Sequence, residues 1–308
     1  MNLNQENINP FLNKYTAFVD EISDEFNYSS NIRHLLYIIV PSFVAKYGLD
    51  KESTILSCFR KVKVFISNHT KNVQAAFNRS LKKNDDGYYT EKFITVNPFS
   101  NSSLSTILDN FIHEFNHAVN SINNEIIVTK DIIKVRTGLT TLNYRKDDLS
   151  FIEKSDEIVL EELLNTSQTE EIIEIIKSFN KFNIENHELS NILYNINQEI
   201  GTTNYESTAY KYQKKICESL INNKTFAPTI NNLRFKGLID DIPALFDNVM
   251  GEEGKYKKLN DTLTDMYDAI NKYGSSTFFK NKYLHKIRDL SKEVTDLIKE
   301  YDNKCIFK

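Results

Sequence analysis

The stretch SLSTILDNFIHEFNHAVNS, residues 103–121, sets the frame for the rest of the chain. Leu104, Ile107, Leu108, Phe111, Phe115 and Val119 recur at three- and four-residue intervals, which predicts a helix with one apolar stripe. At about 100° per residue, Thr106, Asn110, His113, His117 and Asn120 share the opposite face. Ser100 to Ser103 offer several N-cap hydroxyls just upstream. The two histidines stand four apart, one turn above each other, so both imidazoles can reach a single ion. Glu114, beside the first, is placed to contact water on such an ion as a general base. The plain alternative is a solvated polar face that happens to hold two histidines.

Outward from this helix, the pattern is mostly helical. Residues 11–47 read as helix, with Phe18, Ile22, Phe26 and then Leu35, Leu36 and Ile39 spaced for buried faces. From about 61 to 97 the period changes to alternation, and Asn84-Asp85-Asp86-Gly87 is turn chemistry, which predicts a small sheet with a hairpin. The strand Lys92 to Asn97 stops at Pro98 and reads as an edge strand, a wall along which an extended peptide can pair. Glu125 to Arg145 is rich in β-branched residues around Thr137-Gly138, which suits a second hairpin. A helix over 157–178 and further helices to the end follow, with weak breaks at Gly201, Pro228, Gly251 and Gly254. Leu284, Ile287, Leu290, Val294 and Leu297 form a closing amphipathic helix read as packing.

Composition agrees. Eight glycines and five prolines in 308 residues are about 4%, against an ordinary usage of roughly 12%, which favours long helices over a turn-rich sandwich or barrel. A net charge of -4, with acids and bases well mixed, carries no nucleic-acid footprint. The longest apolar run, Leu35 to Val44, is half a membrane span and holds Pro41, and no signal peptide is visible at the N-terminus, so a cytoplasmic protein without a membrane span is expected. Cys58, Cys217 and Cys305 are odd in number, far apart and outside any C-x-x-C, so they read as reduced structural thiols. No G-x-S-x-G and no P-loop motif is present.

The strand followed by HEFNH resembles the zincin metallopeptidases, over about residues 60–178. The resemblance implies one Zn²⁺ ion held by His113, His117 and a third protein ligand, with Glu114 as catalytic base and a peptide or protein as substrate. The metzincin extension is absent, since Ala118, Val119, Asn120 and Ser121 follow His117. That leaves the gluzincin variant, whose third ligand is a glutamate on a downstream helix. Gluzincins of the thermolysin kind carry Asn-Glu-x-x-Ser/Thr-Asp/Glu there. This chain reads Asn165-Thr166-Ser167-Gln168-Thr169-Glu170, with threonine at the ligand's place. Glu162, one turn earlier on the same face, is the favoured ligand, with Asn165 and Thr166 as its supporting partners. Glu206, in Glu206-Ser207-Thr208-Ala209-Tyr210, and the acids Glu161 and Glu170 stay open as rivals. An oxyanion donor is needed too, with His187, Tyr205, Tyr210 and Arg136 available.

The expectation is therefore an α+β, mostly helical protein, with a small sheet packed on the HExxH helix. A zincin-like catalytic portion covers residues 1–180 and a helical C-terminal subdomain covers 181–308. The expected function is zinc-dependent peptide-bond hydrolysis. Two alternatives remain: a zincin-like binding or regulatory protein without turnover, and a helical interaction protein in which HEFNH is accidental.

Overall fold

The computed structural model describes residues 3–66, 75–96, 104–123, 125–156, 158–200, 214–215, 217–218, 221–223, 226–276 and 279–306. These residues form a mostly helical α+β protein with two small sheets. By internal packing the chain makes two compact units, one joining residues 1–119 to 168–207 and the other joining 120–167 to 208–308. Position 180 lies inside the first.

The first unit opens with α1 (Gln5–Phe26) and α2 (Ser30–Tyr47). The helical stretch expected over 11–47 is divided into these two helices, because Asn27 takes a left-handed φ of 54° and turns the chain. Asparagine adopts this conformation more readily than most other side chains. Helix α3 (Glu52–Lys61) follows, and its Phe59 packs edge-on against Phe43 of α2.

The first sheet holds β1 (Lys63–Ile66), β2 (Ala75–Asn84) and β3 (Gly87–Val96) in the order β1-β3-β2. The expected turn closes its hairpin: Asn84 pairs with Gly87, and the Asp86 N–H donates to Asn84 Oδ1 at 3.1 Å. The expectation of an edge strand at 92–97 is corrected. Residues 92–96 belong to the central strand, because β1 runs parallel along one side of Phe93–Val96 and the hairpin folds β2 onto the other. Asn97 lies outside the described residues.

Helix α4 (Leu104–Val119) packs on β2 and β3. Its Phe115 stacks on Phe59 with ring centroids 4.4 Å apart. Helix α5 (Ile158–Phe179) contributes Ile172, Ile173, Ile176 and Phe179 to this core, and α6 (His187–Ile200) contributes Leu189, Leu193 and Ile196.

The second unit begins with an antiparallel meander of β4 (Glu125–Val128), β5 (Ile132–Thr137), β6 (Thr140–Arg145) and β7 (Phe151–Asp156). Its β5–β6 turn is the one expected at Thr137-Gly138, with Gly138 at a φ of 57°. Four strands form where one hairpin was expected. Helices α7 (Phe226–Lys236), α8 (Asp241–Met250), α9 (Lys255–Ser275) and α10 (Lys280–Ile306) complete the unit. Leu160, Leu163 and Leu164 of α5 join Phe226, Phe246, Tyr256, Val294 and Tyr301 in one core.

Pro228 opens α7 rather than breaking the chain, since the first helical turn needs no proline N–H. Gly251 and Gly254, both left-handed, do separate α8 from α9. On α10 Ile287, Val294 and Leu297 are buried as expected, but Leu284 is 44% exposed. Among the described residues no helix is long and apolar enough to cross a membrane. Cys58 and Cys217 are buried free thiols, each pushed up to about 12 by burial.

Candidate metal centre

Helix α4 is buried on both of its faces. Phe111, Ile112, Phe115 and Val119 fill the apolar core, while His113, Asn116, His117 and Asn120 on the other side are buried too. That second face would be costly to bury unless its polar groups found partners. Helix α5 supplies them. Asn116 donates to Thr169 Oγ1 at 3.1 Å, and Asn120 donates to Asn165 Oδ1 at 3.1 Å. The first bond lies within the first unit, and the second, made by Asn120 just past the end of α4, lies within the second. The solvated-face alternative is thereby overturned.

His113 and His117 stand with ring centroids 4.9 Å apart and planes at 77°. One nitrogen from each imidazole and a carboxylate oxygen of Glu162 all lie within 4.8 Å of one another. Donor atoms around a tetrahedral zinc at bond lengths of roughly 2.0–2.2 Å stand roughly 3.3–3.6 Å apart, inside the 4.8 Å bound that this group meets. Two imidazoles and one carboxylate are borderline-soft and hard donors in the combination zinc accepts, and three protein ligands leave a fourth position open. The donor set fits the metal.

Glu114 is half-buried, and its Oε2 accepts the backbone N–H of Phe77 at 2.6 Å. Phe77 belongs to β2, the edge strand, so its N–H points away from the sheet ladder and is available to the helix. Glu162 lies 3.9 Å from the Lys154 ammonium of β7.

The other candidates fall elsewhere. Glu161 is wholly buried and paired with Arg234 at 2.5 Å, which removes it from the ligand set. Glu170 is not part of the ligand group. Of the expected supporting partners, Thr166 donates its hydroxyl to the Glu162 backbone carbonyl at 2.8 Å, and Asn165 bonds to Glu161, Asn120 and Arg234. Glu206, Tyr205 and Tyr210 lie outside the described residues. His187 is the exposed first residue of α6, and Arg136 is ion-paired with Asp240.

Arg234 was not singled out from sequence. Its guanidinium donates to both Glu161 oxygens, at 3.0 and 2.5 Å, and to Asn165 Oδ1 at 2.7 Å. Glu161 also accepts the Leu139 N–H at 2.8 Å. The one available signal was position: Phe226, Ile230 and Arg234 recur every four residues on α7, so the arginine occupies a core site. Comparison with protein-family models, with curated proteins and with solved structures finds no match.

Proposed function

We propose that the chain is a zinc-dependent peptidase of zincin-like design, holding one Zn²⁺ on His113, His117 and Glu162. The observation that carries this reading is the convergence of these three donor atoms within 4.8 Å, from helices buried and bonded to each other. Bound zinc supplies Lewis acidity at neutral pH, activating water and polarising a carbonyl. Glu114 takes a proton from the attacking water and returns it to the leaving amine. The Phe77 amide fixes one oxygen of that carboxylate and so orients the other. Among the described residues β2 is an edge strand, the side on which an extended peptide would add.

A second reading, a zinc-holding protein without turnover, draws on the same Phe77 bond, which engages the base before any substrate arrives. Elemental analysis and peptide hydrolysis separate the cases. About one zinc per chain in wild type, lost in His113→Ala and in Glu162→Ala, supports the centre. Hydrolysis abolished by Glu114→Gln with zinc retained supports the enzyme, whereas equal hydrolysis by both proteins would sink it. A wild type that takes up no zinc would remove both readings.

A further inference from the structure

The chain as a whole is acidic, with a net charge of -4, yet residues 270–288 hold five basic residues and no acid: Lys272, Lys280, Lys282, Lys286 and Arg288. These residues span the end of α9 and the start of α10, the two long helices of an antiparallel hairpin. Lys286 is paired with Asp265, and the Lys280 ammonium sits 5.8 Å from the centre of the Tyr273 ring, which ties the two arms together. The same end exposes large apolar side chains. Phe279 is 62% exposed, the most exposed large hydrophobic side chain among the described residues, and Leu284 and Tyr273 are 44% and 37% exposed. The Phe279 N–H donates to Ser276 Oγ at 3.0 Å.

Exposed lysines alone would fit any polyanion. An exposed Phe and Leu among them gain nothing from a nucleic-acid backbone but do gain from hydrocarbon, while lysine heads stay with acidic headgroups and their stems cover apolar surface. We propose that this helical-hairpin end is a peripheral docking site for an anionic lipid bilayer, with Phe279 and Leu284 entering the acyl boundary and Lys272, Lys280 and Lys282 contacting the headgroups. Attachment is interfacial, consistent with the lack of a spanning helix among the described residues.

The chain contains no tryptophan, so Phe279→Trp gives a single reporter at the site. Vesicles of phosphatidylcholine with one third phosphatidylserine are expected to blue-shift its emission and, with brominated chains, to quench it. Pure phosphatidylcholine vesicles are expected to do neither. In co-sedimentation of the full chain, Lys280→Glu/Lys282→Glu is expected to weaken binding about twenty-fivefold or more, at about fivefold or more per lysine. Phe279→Ser/Leu284→Ser is expected to weaken it comparably, and Lys82→Glu/Lys83→Glu on β2 to leave it unchanged. Emission that does not move, or binding indifferent to either hairpin pair, overturns the proposal. Loss in the lysine pair with full binding in the Phe279/Leu284 pair also overturns it, in favour of a soluble polyanion.

Discussion

Arg234 and Glu161 form an ion pair at 2.5 Å in which the side chains are 0% and 2% exposed. The guanidinium covers both carboxylate oxygens and adds Asn165 and Asn231, so the charge is neutralised and most donors are used. Two charges taken so far from water are stable together and costly apart. Glu161 directly precedes the proposed ligand Glu162, so the pair also governs the rotation of α5 at that turn.

Removing one partner strands the other. Arg234→Met is expected to cost about 3–5 kcal/mol of unfolding free energy, and Glu161→Leu a similar amount. The double variant is expected to cost clearly less than the sum of the two. Urea unfolding of the four proteins checks this, and additive losses would show that the pair is not coupled.

Gly138 is held against the same carboxylate. A Cβ there would stand 2.5 and 2.6 Å from the two Glu161 oxygens, and the residue's φ is 57°. Left-handed backbone alone costs a non-glycine residue about 1–2 kcal/mol, and Glu161 cannot retreat without leaving Arg234. Gly138→Ala is therefore expected to destabilise by at least about 2 kcal/mol, read as a lowered urea midpoint at unchanged slope.

Lys154 would compete with the proposed zinc ion for Glu162. The ammonium lies 3.9 Å from Oε1, and the two side chains are 38% and 13% exposed. A partly exposed pair of this kind contributes at most about 1 kcal/mol. Lys154→Met is expected to tighten zinc binding about two- to fivefold, measured by competition with a chelating dye. Weaker binding in that variant would mean that Lys154 assists the centre instead.

Lys92 on β3 gives a pH signature of its own. Burial pushes its ammonium down to about 8 from its ordinary 10.5, helped by Arg79 and Lys61 and opposed by Cys58. Below about pH 8 the lysine is charged in both folded and unfolded chains, and its burial costs stability. Between pH 8 and 10.5 the unfolded chain holds the proton that the folded chain has lost, so stability rises with pH. Lys92→Met is expected to be more stable than wild type at pH 7 by about 1–3 kcal/mol. That advantage should shrink as unfolding is repeated towards pH 10.

The helical class, the HEFNH helix and its apolar stripe, and both turns at Asn84–Gly87 and Thr137-Gly138 were legible in the sequence. Each depends on neighbours a few residues away: helical spacing, a turn residue, a glycine at positive φ. That Glu162 shares a helix face with Asn165 and Thr166 was legible as well, because the rotation of a helix follows from counting residues; its role as a ligand is a proposal.

What only the tertiary structure decided concerns partners distant in the chain. The parallel pairing of β1 with β3 makes residues 92–96 central rather than an edge, and no local pattern reports which strand arrives from 30 residues earlier. The sequence left open whether the polar face of α4 is solvated; His113, Asn116, His117 and Asn120 on it are buried, with Thr169 and Asn165 bonded to Asn116 and Asn120. Glu161 and Glu162 are adjacent and chemically identical, but an arginine 73 positions away takes the first into a buried ion pair. A carboxylate's role is set by the charge that meets it in space, and sequence distance carries no record of that meeting.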